Sequence, residues 1–255
     1  RKSDLYGRKY SDINMLLCFN KSEKKHFQEY DSKVLVNHIS TVQESKKPRF
    51  EKFKRYLVNR KLKINNKINV FYPSLTWPMN NLTSYNYRAS DKIIYDSEKK
   101  LLKLLSCINK RVIFKSYPRR NYIDPNLINK YAKKLNNIKV IEKDFDFRYV
   151  NSIGDVFIIT VLGSSSTLKW MINLGKPIIY LHSNKSEFIT EESLNMIKRF
   201  LIFIDRDNYN WEENLKNILN KPYNELKKLW EDKKSDREKH DEEWLTGKNL
   251  HAGKL

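Results

Sequence analysis

The chain has 255 residues and a formal net charge of +20, from 50 Lys+Arg against 30 Asp+Glu. Its 40% hydrophobic content, with six glycines and seven prolines, suffices for one large or two small packed cores and excludes collagen-like, low-complexity and wholly disordered classes. Two cysteines, Cys18 and Cys107, cannot make a disulfide scaffold or a four-ligand zinc site by themselves, and the longest mainly apolar run, Val156 to Leu162 with Thr160 within it, is far short of the roughly 18 residues a spanning helix needs.

In chain order, Asp12 to Phe19 reads as a short apolar strand and Ser22 as the N-cap of a helix carrying Phe27 and Tyr30. Lys33 to Ile39 is β-branched and alternating, a second strand. Ser40 to Asn66 holds a run of Lys and Arg, with a basic helix expected around Phe50 to Val58. From Lys67 strands and helices alternate regularly. Strands are expected at Ile68–Tyr72, Arg111–Lys115, Ile138–Ile141, Asp155–Val161, Pro177–Leu181 and Leu201–Ile204. Helices are expected at Ser97–Cys107, Pro125–Leu135, Tyr149–Ile153, Leu168–Leu174, Glu191–Phe200, Trp211–Leu219 and Tyr223–Trp244. Strands separated by helices imply right-handed crossovers and a parallel sheet covered on both faces. The fold expected is therefore α/β, a doubly wound parallel sheet over residues 67–222, preceded by a partial α/β unit at 1–45 and a linker at 46–66. A charged helix and tail occupy 223–255.

Ligands of such sheets bind beyond the carboxyl ends of the strands. Three loops fall there. After the strand Asp155–Val161 come Gly163, Ser164, Ser165, Ser166 and Thr167, hydroxyls and backbone N–H groups at a helix start, where unpaired amides and the helix dipole favour an anion. After Arg111–Lys115 the chain supplies Lys115, Arg119 and Arg120 around Pro118, suited to phosphate. After Ile68–Tyr72 the loop Pro73 to Pro78 offers Ser74 and Thr76. Tyr117, Trp170 and His182 could also line the cleft. Gly175 before Lys176-Pro177 fits a helix C-terminus in the left-handed conformation. The Asp144-Phe-Asp146 and Asp205-Arg-Asp207 triplets lack a supporting His or Glu cluster, the five histidines show no ligand spacing, and no metal is expected.

The stretch Gly163-Ser-Ser-Ser-Thr, running to Gly175-Lys-Pro-Ile-Ile and preceded by Gly154-Asp155, resembles the donor half of GT-B glycosyltransferases. It is closest in style to bacterial surface-carbohydrate and capsule transferases and to teichoic-acid glycerophosphate polymerases. Lys115-Ser-Tyr-Pro118 looks like that group's Lys/Arg-x-His-Pro loop, with Tyr117 where His is usual. Trp170 stands where an acidic residue often holds the donor ribose or sugar. The resemblance covers about residues 67 to 220 and implies a Rossmann-like donor domain. It implies transfer of a sugar from a nucleotide donor to a surface polysaccharide or lipid-linked acceptor, with Gly163 to Thr167, Lys115, Arg119 and Arg120 on the donor diphosphate. No metal or cofactor is implied, because the nucleotide sugar is itself the substrate. The catalytic base would lie in the acceptor half, so none is named.

The chain opens on Arg1 without an apolar signal segment, so the expectation is a soluble, cytoplasmic chain, a fragment or trimmed product. Its basic charge would favour peripheral contact with an anionic membrane face. Two other classes stay open: a related glycerophosphate or phospho-sugar transferase, and a non-catalytic nucleotide- or nucleic-acid-binding Rossmann-like module. Aromatics and cations do not interleave on one strand face, so a nucleic-acid partner is not expected.

Overall fold

The structure is a computed structural model that describes residues 15–18, 35–38, 53, 55–60, 68–74, 91–116, 127–142, 147–160, 166–184, 189 and 191–240. The chain divides into two compact units, residues 1–45 with 234–255, and residues 46–233. In the first, strands β1 (Met15–Cys18) and β2 (Leu35–His38) pair in parallel, Met15 opposite Leu35.

The second unit is built on six parallel strands: β3 (Asn69–Pro73), β4 (Arg111–Lys115), β5 (Ile138–Ile141), β6 (Val156–Ile159), β7 (Ile178–His182) and β8 (Ile202–Asp205), in the order β5-β4-β3-β6-β7-β8. Between them run α1 (Asp91–Leu105), α2 (Leu127–Ala132), α3 (Phe147–Val150), α4 (Ser166–Asn173) and α5 (Glu191–Phe200); α6 (Trp211–Asn220) and α7 (Tyr223–Glu231) follow β8, and α8 (Lys234–His240) falls in the first unit. The α/β, doubly wound Rossmann-like expectation is met. The central strands β6 and β7 are buried at every position, as a sheet covered on both faces demands, whereas the edge strands β5 and β8 alternate.

Period-two alternation sorts the side chains into two cores. On one face Val70, Tyr72, Val112, Phe114 and Ile158 pack with Leu101, Leu102 and Leu105 of α1 and Leu215 and Leu219 of α6. On the other, Phe71, Ile113, Phe157 and Tyr180 pack with Met171 of α4, Ile197 and Phe200 of α5 and Trp230 of α7. Here Phe71, Phe147 and Phe157 form an aromatic triad with centroids 5.5 to 6.1 Å apart. A Cβ on Gly154 would stand 2.7 Å from the Phe71 Cβ and 2.8 Å from the Phe157 ring. Close approach, rather than backbone conformation, therefore requires glycine there. Gly175 does adopt the left-handed conformation, at φ 63°, ending α4 before β7.

Two element boundaries differ from expectation. Helix α1 begins at Asp91, six residues before Ser97, because Ile94 extends the buried stripe of Glu98, Leu101, Leu102 and Leu105. The expected single helix Tyr223–Trp244 is instead α7 and α8, parted at Asp232 and Lys233. Leu226 and Trp230, four apart, bury one face of α7 completely despite its charge.

The amino ends of the strands are braced by ion pairs and lysine caps. Asp155, just before β6, accepts a two-pronged hydrogen bond from Arg55 (2.5 and 2.9 Å) and a third bond from the Asn69 N–H (2.9 Å). That carboxylate raises the Arg55 pKa, chiefly through the hydrogen bond. Lys176 donates to the carbonyls of Gly154 and Ser152. Lys110 caps the carbonyls of Leu219 and Lys221 at the carboxyl end of α6, and Lys233 those of Lys198 and Arg199 at the end of α5. Ammonium groups at helix carboxyl ends offset the dipole there.

Candidate functional site

Because all six strands are parallel, their carboxyl ends open on one rim. The strand order reverses between β3 and β6, the neighbours at the centre of the sheet, and this switch point is where a doubly wound sheet leaves a crevice for a ligand. Ser74 follows β3, Lys115 and Ser116 close β4, Thr160 follows β6, His182 to Asn184 close β7, and Arg206 and Asp207 follow β8. Strands β4 and β6 flank β3 on either side, roughly 10 Å apart at the usual strand spacing. The two segments expected to bind diphosphate therefore leave the sheet at one rim, on either side of the same strand.

Several expected residues have defined surroundings. Ser74 is buried; its N–H donates to the Lys115 carbonyl (2.8 Å) and its hydroxyl to Glu98 Oε1 (2.8 Å). Lys115, at the end of β4, is 4% exposed and its ammonium donates to the Ser116 carbonyl at 2.7 Å. Ser166 opens α4, and Thr167 in its first turn is half-buried. Trp170 lies stacked on Phe147 (6.4 Å, 15° between planes) against the second core, so the indole is engaged in aromatic packing. His182 is buried: its Nδ1 lies 2.9 Å from the Tyr180 hydroxyl and its Nε2 3.1 Å from Asn184 Oδ1. The tautomer that satisfies both carries the proton on Nε2 and accepts from Tyr180. Gly163, Ser164, Ser165, Arg119, Arg120, Thr76 and Tyr117 lie outside the described residues.

A polar layer beneath the rim was not anticipated from sequence. Glu98, 2% exposed on the inner face of α1, accepts hydrogen bonds from both Tyr72 (2.9 Å) and Ser74. Arg206 donates to the Ser97 hydroxyl (2.7 Å) and stacks over the Trp211 ring at 5.0 Å. Burial lowers the Arg206 pKa, opposed by Tyr72, Asp207, Glu98 and Glu212. Burial, reinforced by the Glu98 charge, pushes the Tyr72 phenol well above its ordinary value of 10.0; Thr160 and Arg206 temper the rise. Tyr72 thus stays a neutral donor, and the layer fixes the end of β3. The available signal was Glu98 itself, a carboxylate on an otherwise apolar helical stripe, where a charge has to find partners.

This burial has a signed pH consequence. A phenol whose folded pKa is raised contributes stability in full below the unfolded value near 10, and loses it as pH climbs toward the folded value. Chemical denaturation from pH 9 to 11 is expected to show stability falling above about pH 10, with a shallower fall for Tyr72→Phe. An unchanged slope would place the alkaline loss on other groups, such as Tyr223, whose pKa burial also raises.

Asp205-Arg-Asp207 is a rim turn. Asp207 accepts from the Ser183 hydroxyl and the Asn184 N–H, both at 2.9 Å, and the Asp207 N–H donates to Asp205. Asp144 and Asp146 lie outside the described residues. Among the described residues no three His, Cys, Asp or Glu side chains group as metal ligands, and no helix is long and apolar enough to cross a membrane. Asp155 and Lys176, both within the stretch that carries the family resemblance, sit at the amino edge with structural partners, a strand's length from the crevice.

No family model matches the sequence, and no curated protein does. Solved structures do resemble the fold. Over 91% of its length the chain is similar to HepE of Anabaena, solved in complex with UDP and glucose (TM-score 0.50, 10% identity, 59% of that chain covered). It is also similar over 91% of its length to WaaG, a glycosyltransferase involved in lipopolysaccharide biosynthesis (TM-score 0.49, 12% identity, 60% of that chain covered). The chain thus spans about three fifths of the length of these structures, and what it shares with HepE is the fold.

Proposed function

We propose that the chain carries the donor-binding half of a GT-B glycosyltransferase, one that moves a sugar from a nucleotide-activated donor to a surface polysaccharide or lipid-linked acceptor. The observation that supports this most is the strand order: β3 and β6 meet at the switch point, and β4 and β6, from which the two expected segments leave, flank β3 and end on one rim. HepE, whose fold the chain resembles, was solved with UDP and glucose, and a nucleoside diphosphate is the ligand that the segments after β4 and β6 suit by chemistry. Backbone amides from Gly163 to Thr167, the adjacent hydroxyls, Lys115, Arg119 and Arg120 neutralise the negative charge that builds on the diphosphate as the glycosidic bond breaks. That electrostatic role takes the place of a divalent metal, and the donor is consumed as substrate rather than retained as cofactor. The enzyme works in the cytoplasm, peripheral to the membrane face where such acceptors reside.

Trp170 favours a second reading, a nucleotide-binding partner subunit without turnover, since an indole packed on Phe147 offers no carboxylate to a ribose. Thermal-shift titration with UDP, GDP, CDP and CMP, with and without EDTA, tests both. A nucleoside diphosphate is expected to raise Tm, and the rise to survive chelation. Stabilisation by oligonucleotides alone, steeply weakened by salt, would replace both readings with nucleic-acid binding. Diphosphate binding without donor hydrolysis or transfer would favour the silent subunit.

A further inference from the structure

The helical segment ahead of β3 has two faces of different chemistry. Arg55, Val58 and Asn59, spaced i, i+3 and i+4, are turned into the domain: Arg55 grips Asp155, Val58 packs against the second core, and Asn59 is 5% exposed. Phe53, Tyr56 and Leu57 repeat that spacing on the opposite side and remain 57%, 59% and 46% exposed, with exposed Arg60 one turn on. Single exposed apolar side chains are ordinary, and Ile93, Leu127 and Tyr209 are such cases. Three large ones on one side of a helix already anchored by its other side form a patch that the domain's own packing does not use. The surrounding sequence is intensely basic. From Lys46 to Lys67 there are ten Lys or Arg against Glu51 alone, so +9 of the chain's +20 falls within this one stretch.

We propose that this helix face docks on an anionic lipid surface. Phe53 and Leu57 enter the interfacial layer, the Tyr56 phenol sits at head-group level, and the flanking cations meet lipid phosphates. Charge complementarity selects this occupant: a continuous negative surface suits the eight net positive charges of this stretch that remain once Arg55 is paired with Asp155, whereas a second copy would oppose the same cations to one another. The helix docks through Asp155 at the amino edge of the sheet, a strand's length or roughly 15 Å from the rim. Lipid contact and ligand binding therefore do not compete, and the inference stands independently of the transferase reading.

Co-sedimentation of the whole chain with phosphatidylcholine vesicles, with and without phosphatidylglycerol, tests it at physiological salt. The parent is expected to bind the phosphatidylglycerol vesicles. The Phe53→Ser, Tyr56→Ser, Leu57→Ser triple variant is expected to bind about tenfold more weakly or less, at unchanged Tm. A single Tyr56→Glu variant, placing an anion on the face, is expected to lose binding in the same way. Equal binding by parent and variants would reduce the attraction to diffuse surface charge and overturn the proposal. So would absence of binding by the parent, a clear fall in Tm of the variants, which would mean that protein covers the face, or a dimer in the parent that the substitutions abolish.

Discussion

The Ser165→Glu, Arg119→Ala double variant is expected to show no Tm shift with a nucleoside diphosphate that stabilises the parent. A ligand present at a hundred times its Kd adds about 2.7 kcal/mol to folding stability, which in a domain of this size corresponds to roughly 5–10 °C. The glutamate sets a fixed anion at the helix start where the proposal puts phosphate oxygens, and the alanine removes a guanidinium suited to a two-pronged grip. The sequence assigns both positions to loops beyond the expected strands, so the unliganded Tm is expected to stay close to that of the parent. Differential scanning fluorimetry with and without diphosphate reads both quantities together. A full shift in the double variant would move the diphosphate away from the segments after β4 and β6, and with it the transferase reading of this rim.

Asp155→Ala is expected to cost about 3 kcal/mol of folding stability, the lower end for a broken buried ion pair, because the Arg55 and Asp155 side chains keep 26% and 12% exposure. The substitution strands the Arg55 guanidinium and leaves the Asn69 N–H without its acceptor at the start of the central strand. Urea unfolding measures the change directly, and Tm should fall by roughly 6–12 °C. Asp155→Asn, which retains an acceptor for Asn69 but loses the charge, should fall between the two. A loss below about 0.5 kcal/mol in the alanine variant would show that the bidentate pair contributes no more than an exposed one.

The sheet was legible because its strands are short apolar runs separated by amphipathic helices; Val156–Ile159 and Ile178–His182 have no polar alternation, as strands buried on both faces require. Spatial order was not legible. Nothing local in Asn69–Pro73 announces that it lies between β4 and β6, since the order depends on which face each crossover helix covers. Gly175 could be assigned to a helix end from Lys176-Pro177 beside it, whereas the need for glycine at 154 arises from Phe71, 83 positions earlier in the chain. The same distance problem hid the partners of Glu98 and of Arg206, which come from other elements. Asp155 and Lys176 drew attention through a family-like pattern, yet their bonds run to Arg55, Asn69 and nearby backbone carbonyls. A pattern along the chain does not distinguish residues that build a fold from residues that serve its opening.

The lysines that close helix ends bear on how the molecule meets an approaching polyanion. Lys110, Lys176 and Lys233 direct their ammonium groups at carbonyl oxygens, and Arg55 spends its charge on a carboxylate. The three ammonium groups keep their full charge but are fixed in place, and Asp155 already cancels Arg55 in the formal total of +20. The same total distributed differently over the surface would guide a diffusing anion differently, because fixed cations set where the potential is highest. Capture rates should follow where cations cluster rather than how many the chain contains.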